Sequence, residues 1–233
     1  MKKGLLLKKA FWSTLPVMAG YLVLGMGFGM LMLSKGFSFL WTPAMSLFVY
    51  AGSMQFAAIS LLSEGASFLT VGLTTFLVNA RHIFYGISMV EEYRNLGWKK
   101  PYLIFTLTDE TYSLVVSGGK DLPPEDRKRW YFLVSLLDHI WWVSGSLLGA
   151  IAGSLMKINT KGLDFALTAL FIVITIDLIK GAKGKALPAM IAAVSSVVCL
   201  LIIGPSNFIL PSLAITVVLL FILRPMIEKE EKT

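Results

Sequence analysis

Five residues able to bind or carry charge, Asn79, Arg81, His82, Asp109 and Glu110, lie inside or beside apolar segments between Thr75 and Tyr112. The apolar run 66–90 is long enough to cross a bilayer. At roughly 1.5 Å of rise per residue, Arg81 sits about 15 Å from the Glu91 end, near the midplane. An ionised side chain at that depth costs at least a few kcal/mol unless it faces protein or a water-filled cavity, which makes it a candidate functional residue. Arg81 and Tyr85 are four residues apart and Asn79 and His82 three, so these side chains cover neighbouring parts of one helix surface. The plainer alternative is a structural arginine paired with a carboxylate from a neighbouring helix.

Two further stretches carry polar groups into apolar surroundings. In Tyr50-Ala51-Gly52-Ser53-Met54-Gln55-Phe56, Gly52 and Ser53 permit a local helix break whose freed backbone groups meet a ligand; close helix packing around small residues is the alternative. In Thr108-Asp109-Glu110-Thr111-Tyr112, the acids lie about 12 Å or more from the Pro101 end of their segment. One is placed to pair with Arg81, the other to hold an ammonium group or a proton, unless both are exposed on a short interfacial helix. Asp138-His139 with Trp141-Trp142 lies near the cytoplasmic end of the fifth apolar run, where tryptophans fit an interfacial belt; a functional Asp138 is the other reading. Asp177, three residues from Lys180, reads as an ordinary helix-end pair.

The elements that position these groups follow from composition. The 233 residues are 56% hydrophobic and 15% charged, with a mean hydropathy of +0.74. These values describe an all-α polytopic membrane protein, a single transmembrane domain of six to eight transmembrane or re-entrant helices. Apolar stretches fall at about 14–33, 40–62, 66–90, 101–117, 132–156, 163–180, 186–203 and 207–223. The net charge of +7 sits in the short gaps between them, as the positive-inside rule requires, and forms no patch for nucleic acid. Lys2, Lys3, Lys8 and Lys9 resemble a signal-peptide start, but the apolar run continues to Leu33 without a cleavage site. It reads as a first span with a cytoplasmic N-terminus. Arg127-Lys128-Arg129 and Lys180, Lys183 and Lys185 fall on the same side, and with eight spans both termini are inside.

Arg94, Lys99 and Lys100 conflict with an eight-span count, which places them outside. The conflict vanishes if 40–62 and 101–117 are both re-entrant or broken, leaving six full spans, and Pro43, Gly52 and the polar run 106–111 favour interruption. Gly25-x-x-x-Gly29 followed by Gly36-Phe37-Ser38-Phe39, and Gly149-x-x-x-Gly153 followed by Gly162-Leu163-Asp164-Phe165, suggest an internal duplication with halves at about 14–117 and 132–223. The loop charges set the two glycine helices parallel. GxxxG spacing by itself means close helix packing.

Nothing recommends catalysis: there is no HExxH, GxSxG or Walker A motif, and the lone Cys199 and two histidines give no metal-ligand spacing and call for no cofactor. The motifs Tyr50-Ala51-Gly52-Ser53-x-Gln55-Phe56-Ala57-Ala58, Asn79-Ala80-Arg81-His82 with Tyr85, Thr108-Asp109-Glu110-Thr111-Tyr112 and Gly162-Leu163-Asp164-Phe165-Ala166-Leu167-Thr168-Ala169, in this order and spacing, resemble the AzlC family over nearly the whole chain. Ala80 departs from that pattern, standing where a larger apolar residue is expected. The resemblance implies an inner-membrane permease for branched-chain amino acids such as valine, leucine and isoleucine. It also implies an exporter large subunit working with a small AzlD-type membrane partner.

A zwitterionic amino acid needs a positive group for its carboxylate, an acceptor for its ammonium and an apolar pocket. Arg81 with the Gly52–Ser53 backbone is the candidate for the first, Asp109 or Glu110 for the second, and Phe56 and Phe84 for the third. Gln55, Asn79 and Tyr85 complete the candidate substrate site, and His82 or Asp109 is the candidate carrier of a coupling proton. The alternatives are a structural or regulatory membrane subunit whose polar core holds a complex together, and, more remotely, a channel.

Overall fold

The computed structural model describes residues 3–155, 186–204 and 208–230, together with residues 172 and 176. The signature at 162–169 and the charges at Asp177, Lys180, Lys183 and Lys185 lie outside the described residues. Among these, the chain is all-helical: α1 (Lys3–Ser34), α2 (Trp41–Phe48), α3 (Gly52–Ser63), α4 (Phe68–Ser88), α5 (Lys99–Phe105), α6 (Asp109–Ser117), α7 (Pro124–Leu155), α8 (Ala186–Ile203) and α9 (Ile209–Glu230). Two of them, α1 from Gly4 and α7, are long and apolar enough to cross a membrane. The chain divides into two compact units. One holds residues 1–67 and 78–160, the other 68–77 and 161–233.

The first unit is built on the α1–α7 pair, and glycine makes that pair possible. A Cβ on Gly29 would lie 2.2 Å from the Ser146 carbonyl oxygen, and one on Gly149 would lie 2.2 Å from that of Met26. Gly25 and Gly145 are nearly as tight, against Ser146 N at 2.8 Å and Tyr21 O at 2.6 Å. The two GxxxG motifs therefore pack against each other, backbone on backbone. Residue numbers rise together along the seam, from Thr14 beside Trp141 to Met30 beside Gly153, so the helices are parallel. Lys9 at one start meets Asp121, just before the other; the hydrogen bond from the lysine ammonium holds that exposed carboxyl below the usual range.

The same end receives the chain after α4. Met89, Tyr93 and Leu96 join Leu6, Ala10, Trp130, Tyr131 and Val134 in one apolar cluster, and Tyr131 donates to Glu92 at 3.0 Å. The part of α4 within this unit, residues 78–88, thus runs antiparallel to α1 and α7. That fixes the character of the two interrupted segments on either side of it. Helices α2 and α3 are separated by residues 49–51, where Tyr50 takes φ of 44°, a left-handed conformation costing on the order of 1–2 kcal/mol for a residue with a Cβ. They enter from the end where α1 finishes and return to it before α4. Helices α5 and α6, separated by residues 106–108, enter from the opposite end and return there. Gly118 and Gly119 close this second hairpin by lying flat on the buried Trp130 indole, their Cβ positions 2.6 and 2.8 Å from ring carbons. Gly119 has φ of 69°, which favours glycine. Both segments turn back within the protein, so neither runs from one end of α1 to the other.

In the second unit α8 packs on α9, with Ser195, Cys199 and Ser212 buried. The cysteine is free.

Candidate functional site

The two hairpins bring their breaks to the middle of α4 and α7. Arg81, Tyr85 and Ser88 recur at helical spacing and form one stripe on α4. The Arg81 Nη2 lies 2.9 Å from Asp109 Oδ2 and donates to Ser53 Oγ at 3.1 Å. It therefore joins the first turn of α6 to the first turn of α3. Tyr85 donates to the other oxygen of Asp109 at 2.7 Å and stacks on Tyr112 with centroids 4.3 Å apart. Both Asp109 oxygens are occupied, whereas Arg81 Nε has no acceptor among the described residues. About a third of the Arg81 and Asp109 side chains remains accessible, 34% and 29%.

Asp109 and Glu110 open α6, where negative charge opposes the helix dipole favourably, and Thr108 caps it by accepting from Thr111 N at 3.3 Å. Adjacent residues on a helix point about 100° apart, so the two acids part company. Asp109 turns to α4, while Glu110 accepts from Tyr21 of α1 at 2.7 Å. The Tyr21 hydroxyl also contacts Thr108 Oγ1 at 2.7 Å, and Thr111 Oγ1 donates to Asp138 Oδ2 at 2.8 Å. Asp138 is wholly buried, and its other oxygen has no partner among the described residues.

A second network fastens the α2–α3 break to α7. Gln55 accepts from Trp142 Nε1 at 2.9 Å and from Ala51 N at 3.2 Å, and donates to Ser46 Oγ at 3.3 Å. Ser46 donates to Ser146 at 2.7 Å, and His139 bridges the Ser46 carbonyl and Tyr102 at 3.3 and 3.1 Å.

The structure gathers Ser53, Arg81, Tyr85 and Asp109 at one point, with the His82 ring edge-on to Tyr85 at 5.7 Å. Gly52 lies close by at the start of α3, its Cβ position 3.5 Å from the Trp142 ring. Glu110 belongs to the Tyr21 chain, and Gln55 to the buried Trp142 network. Asn79 makes no side-chain hydrogen bond among the described residues. Phe84 is 69% exposed, so it lines no pocket here, and Phe56 is buried against Phe28 with centroids 5.7 Å apart.

Trp142 is also buried, which removes it from any interfacial belt. Helix α7 begins at Pro124, a turn or two before its apolar run, so Trp142 lies about 27 Å along it and Asp138 about 21 Å. Sequence reasoning missed Tyr21 and Ser46, and it named Thr111 within its motif without giving it a partner. A signal existed for Tyr21, which stands four residues before Gly25 and so shares the face that packs on α7.

The family described as "AzlC protein" matches residues 16–156. A Bacillus subtilis (strain 168) protein named "Branched-chain amino acid transport protein AzlC" is 42% identical over 225 residues, covering 96% of this chain and 87% of the relative. A Helicobacter pylori (strain ATCC 700392 / 26695) "Uncharacterized membrane protein" is 40% identical over 95% of this chain and 96% of its own. The Escherichia coli (strain K12) "Inner membrane protein YgaZ" is 29% identical over 61% and 59%. No solved structure matches the chain. With the family's model covering more than half of its length and such a relative aligned along nearly all of it, the chain belongs to the AzlC family.

Proposed function

We propose that this protein is an inner-membrane secondary transporter that exports branched-chain amino acids, coupled to protons and working with a small AzlD-type membrane subunit. The observation that carries this is the Arg81 bridge between the starts of two half-helices, α3 and α6. Interrupted helices whose N-termini meet near the middle of a bundle are a recurrent way to hold a small charged substrate in a membrane. The guanidinium and the α3 N-terminus suit a carboxylate. Asp109 suits an ammonium group, and ligand binding exchanges the internal ion pair for two ligand pairs. The printed name of the Bacillus subtilis relative supplies the substrate class.

The fold also favours one topology. With both interrupted segments re-entrant, the eight apolar stretches of the sequence leave six full spans. Arg94, Lys99 and Lys100 then fall at the same end as the N-terminal lysines and Arg127-Lys128-Arg129, and the charge conflict disappears. In a Cys199→Ser background, single cysteines at Arg94 and Lys128 are expected to resist impermeant thiol reagents on intact cells and to label readily in inverted vesicles. Labelling of either from outside overturns the topology.

The transport reading is tested by deletion and complementation. Cells lacking this protein, fed leucine- or valine-containing peptides, are expected to accumulate the free amino acid and to become sensitive to toxic aliphatic analogues. Restoring this chain together with its small partner reverses both effects. Unchanged intracellular pools in the deletion strain would refute export.

A further inference from the structure

One buried group has no part in the substrate site just described. Asp138 is fully enclosed, has one oxygen on Thr111 and the other without a partner, and no ion pair reaches it among the described residues. The Tyr50 hydroxyl is buried nearby, with Asp138, Tyr21, Glu110 and Thr111 as the polar groups that act on it. A carboxylate held this way is strongly disfavoured without a cation, so the site is completed by a proton.

The hydroxyl chain gives that proton a route. Glu110 Oε2, Tyr21 OH, Thr108 Oγ1, Thr111 Oγ1 and Asp138 Oδ2 follow one another at 2.7, 2.7, 3.2 and 2.8 Å. Four links join the two carboxyl groups, but the three hydroxyls between them hold only three hydrogens. With both ends ionised one link is unmade. One added proton satisfies all four, and it can do so in two ways. Held on Glu110, every hydroxyl points toward Asp138; held on Asp138, every hydroxyl points back toward Glu110. Passage from one state to the other moves each hydrogen by one link, with each hydroxyl giving one proton and receiving one. Glu110 is only partly buried, so its end exchanges with water, while Asp138 is the sealed end.

We infer that Glu110, Tyr21, Thr108, Thr111 and Asp138 form a proton path, and that Asp138 is the buried carrier whose protonation accompanies each transport cycle. This rests on the transport reading above and departs from the assignment of the coupling proton to His82 or Asp109. Asp109 is already held by Arg81 and Tyr85, whereas Asp138 meets Thr111 of α6 and is acted on by Glu110 of the same helix and by Tyr50 of the α2–α3 break, with His139 beside it turned to Ser46 and Tyr102. The link to substrate is direct. Thr111 and Thr108 form the first turn and cap of α6, the same turn that presents Asp109 to Arg81, so the charge on Asp138 biases the geometry of the ion pair.

The test uses the protein with its small subunit in liposomes, with leucine as substrate and an internal pH dye. Wild type is expected to accumulate leucine on an imposed pH gradient. Tyr21→Phe and Asp138→Asn lose that accumulation and the accompanying pH change, while exchange of labelled for unlabelled leucine, which needs no net proton movement, persists. Gradient-driven accumulation in both variants overturns the path. Should Asp138→Asn not fold, Tyr21→Phe, which removes a single oxygen, decides it. If wild type moves no leucine at all, the transport reading fails. The path is then judged by proton uptake of the detergent-solubilised protein across neutral pH: Asp138→Asn takes up one proton fewer than wild type, and equal uptake overturns it.

Discussion

Arg81→Gln and Asp109→Asn are each expected to abolish leucine flux, and the double variant to be less unstable than the sum of the two. The 2.9 Å contact is the reason. Removing one charge leaves the other within the bundle without its partner, a larger loss than removing both. Because about a third of each side chain is accessible, the coupling is expected to be about 1–2 kcal/mol, within the range for residues in contact rather than at its top. Arg81→Gln combined with Glu110→Gln is the control, since Glu110 hydrogen-bonds Tyr21. Those two effects add. The measurements are thermal unfolding in detergent and flux in liposomes, with recovery of the two-subunit complex as a third readout. Additivity for Arg81 with Asp109 contradicts the ion pair. Loss of flux with the complex intact fits a transporter, whereas an Arg81→Gln complex that falls apart favours a scaffold subunit.

Gly149→Ala is expected to destabilise the protein strongly, whereas Gly153→Ala, one turn further along the same seam, is close to neutral. The added methyl at 149 lands 2.2 Å from the Met26 carbonyl oxygen and 2.6 Å from its Cα. Both are backbone atoms of a helix that cannot yield by changing a rotamer. Relief requires the long α1–α7 pair to move apart along its length, at a cost of about 3 kcal/mol or more, above the usual range for overpacking. At 153 the nearest atom is Met30 Cα at 3.4 Å, an ordinary contact. Thermal unfolding of the purified protein separates the cases: similar midpoints for the two variants contradict the seam. A loss at 149 also carries to function, because Tyr21 and Asp138 are held on these two helices.

Hydropathy and charge spacing by themselves determined where the long helices lie and that polar residues sit deep within them, because burying a helix-length apolar run or leaving it exposed differ by far more than any local preference. The same holds for the parallel direction of the glycine helices and for the interruptions near Gly52 and Thr108, which glycine and clustered hydroxyl residues announce. Only the tertiary structure decided that both interrupted segments turn back. A break frees the chain's direction, and packing around Tyr50, Trp130 and Gly119 then chooses it. Only packing decided which of two consecutive acids meets Arg81, since neighbours on a helix differ by about 100° in facing and a small rotation of α6 exchanges them. The same reason places Gln55 and Trp142 inside, leaves Phe84 outside, and brings Asp138 to Thr111. Each is a matter of which helix face meets which partner, and that is fixed by contacts between segments distant in sequence, where composition carries no information.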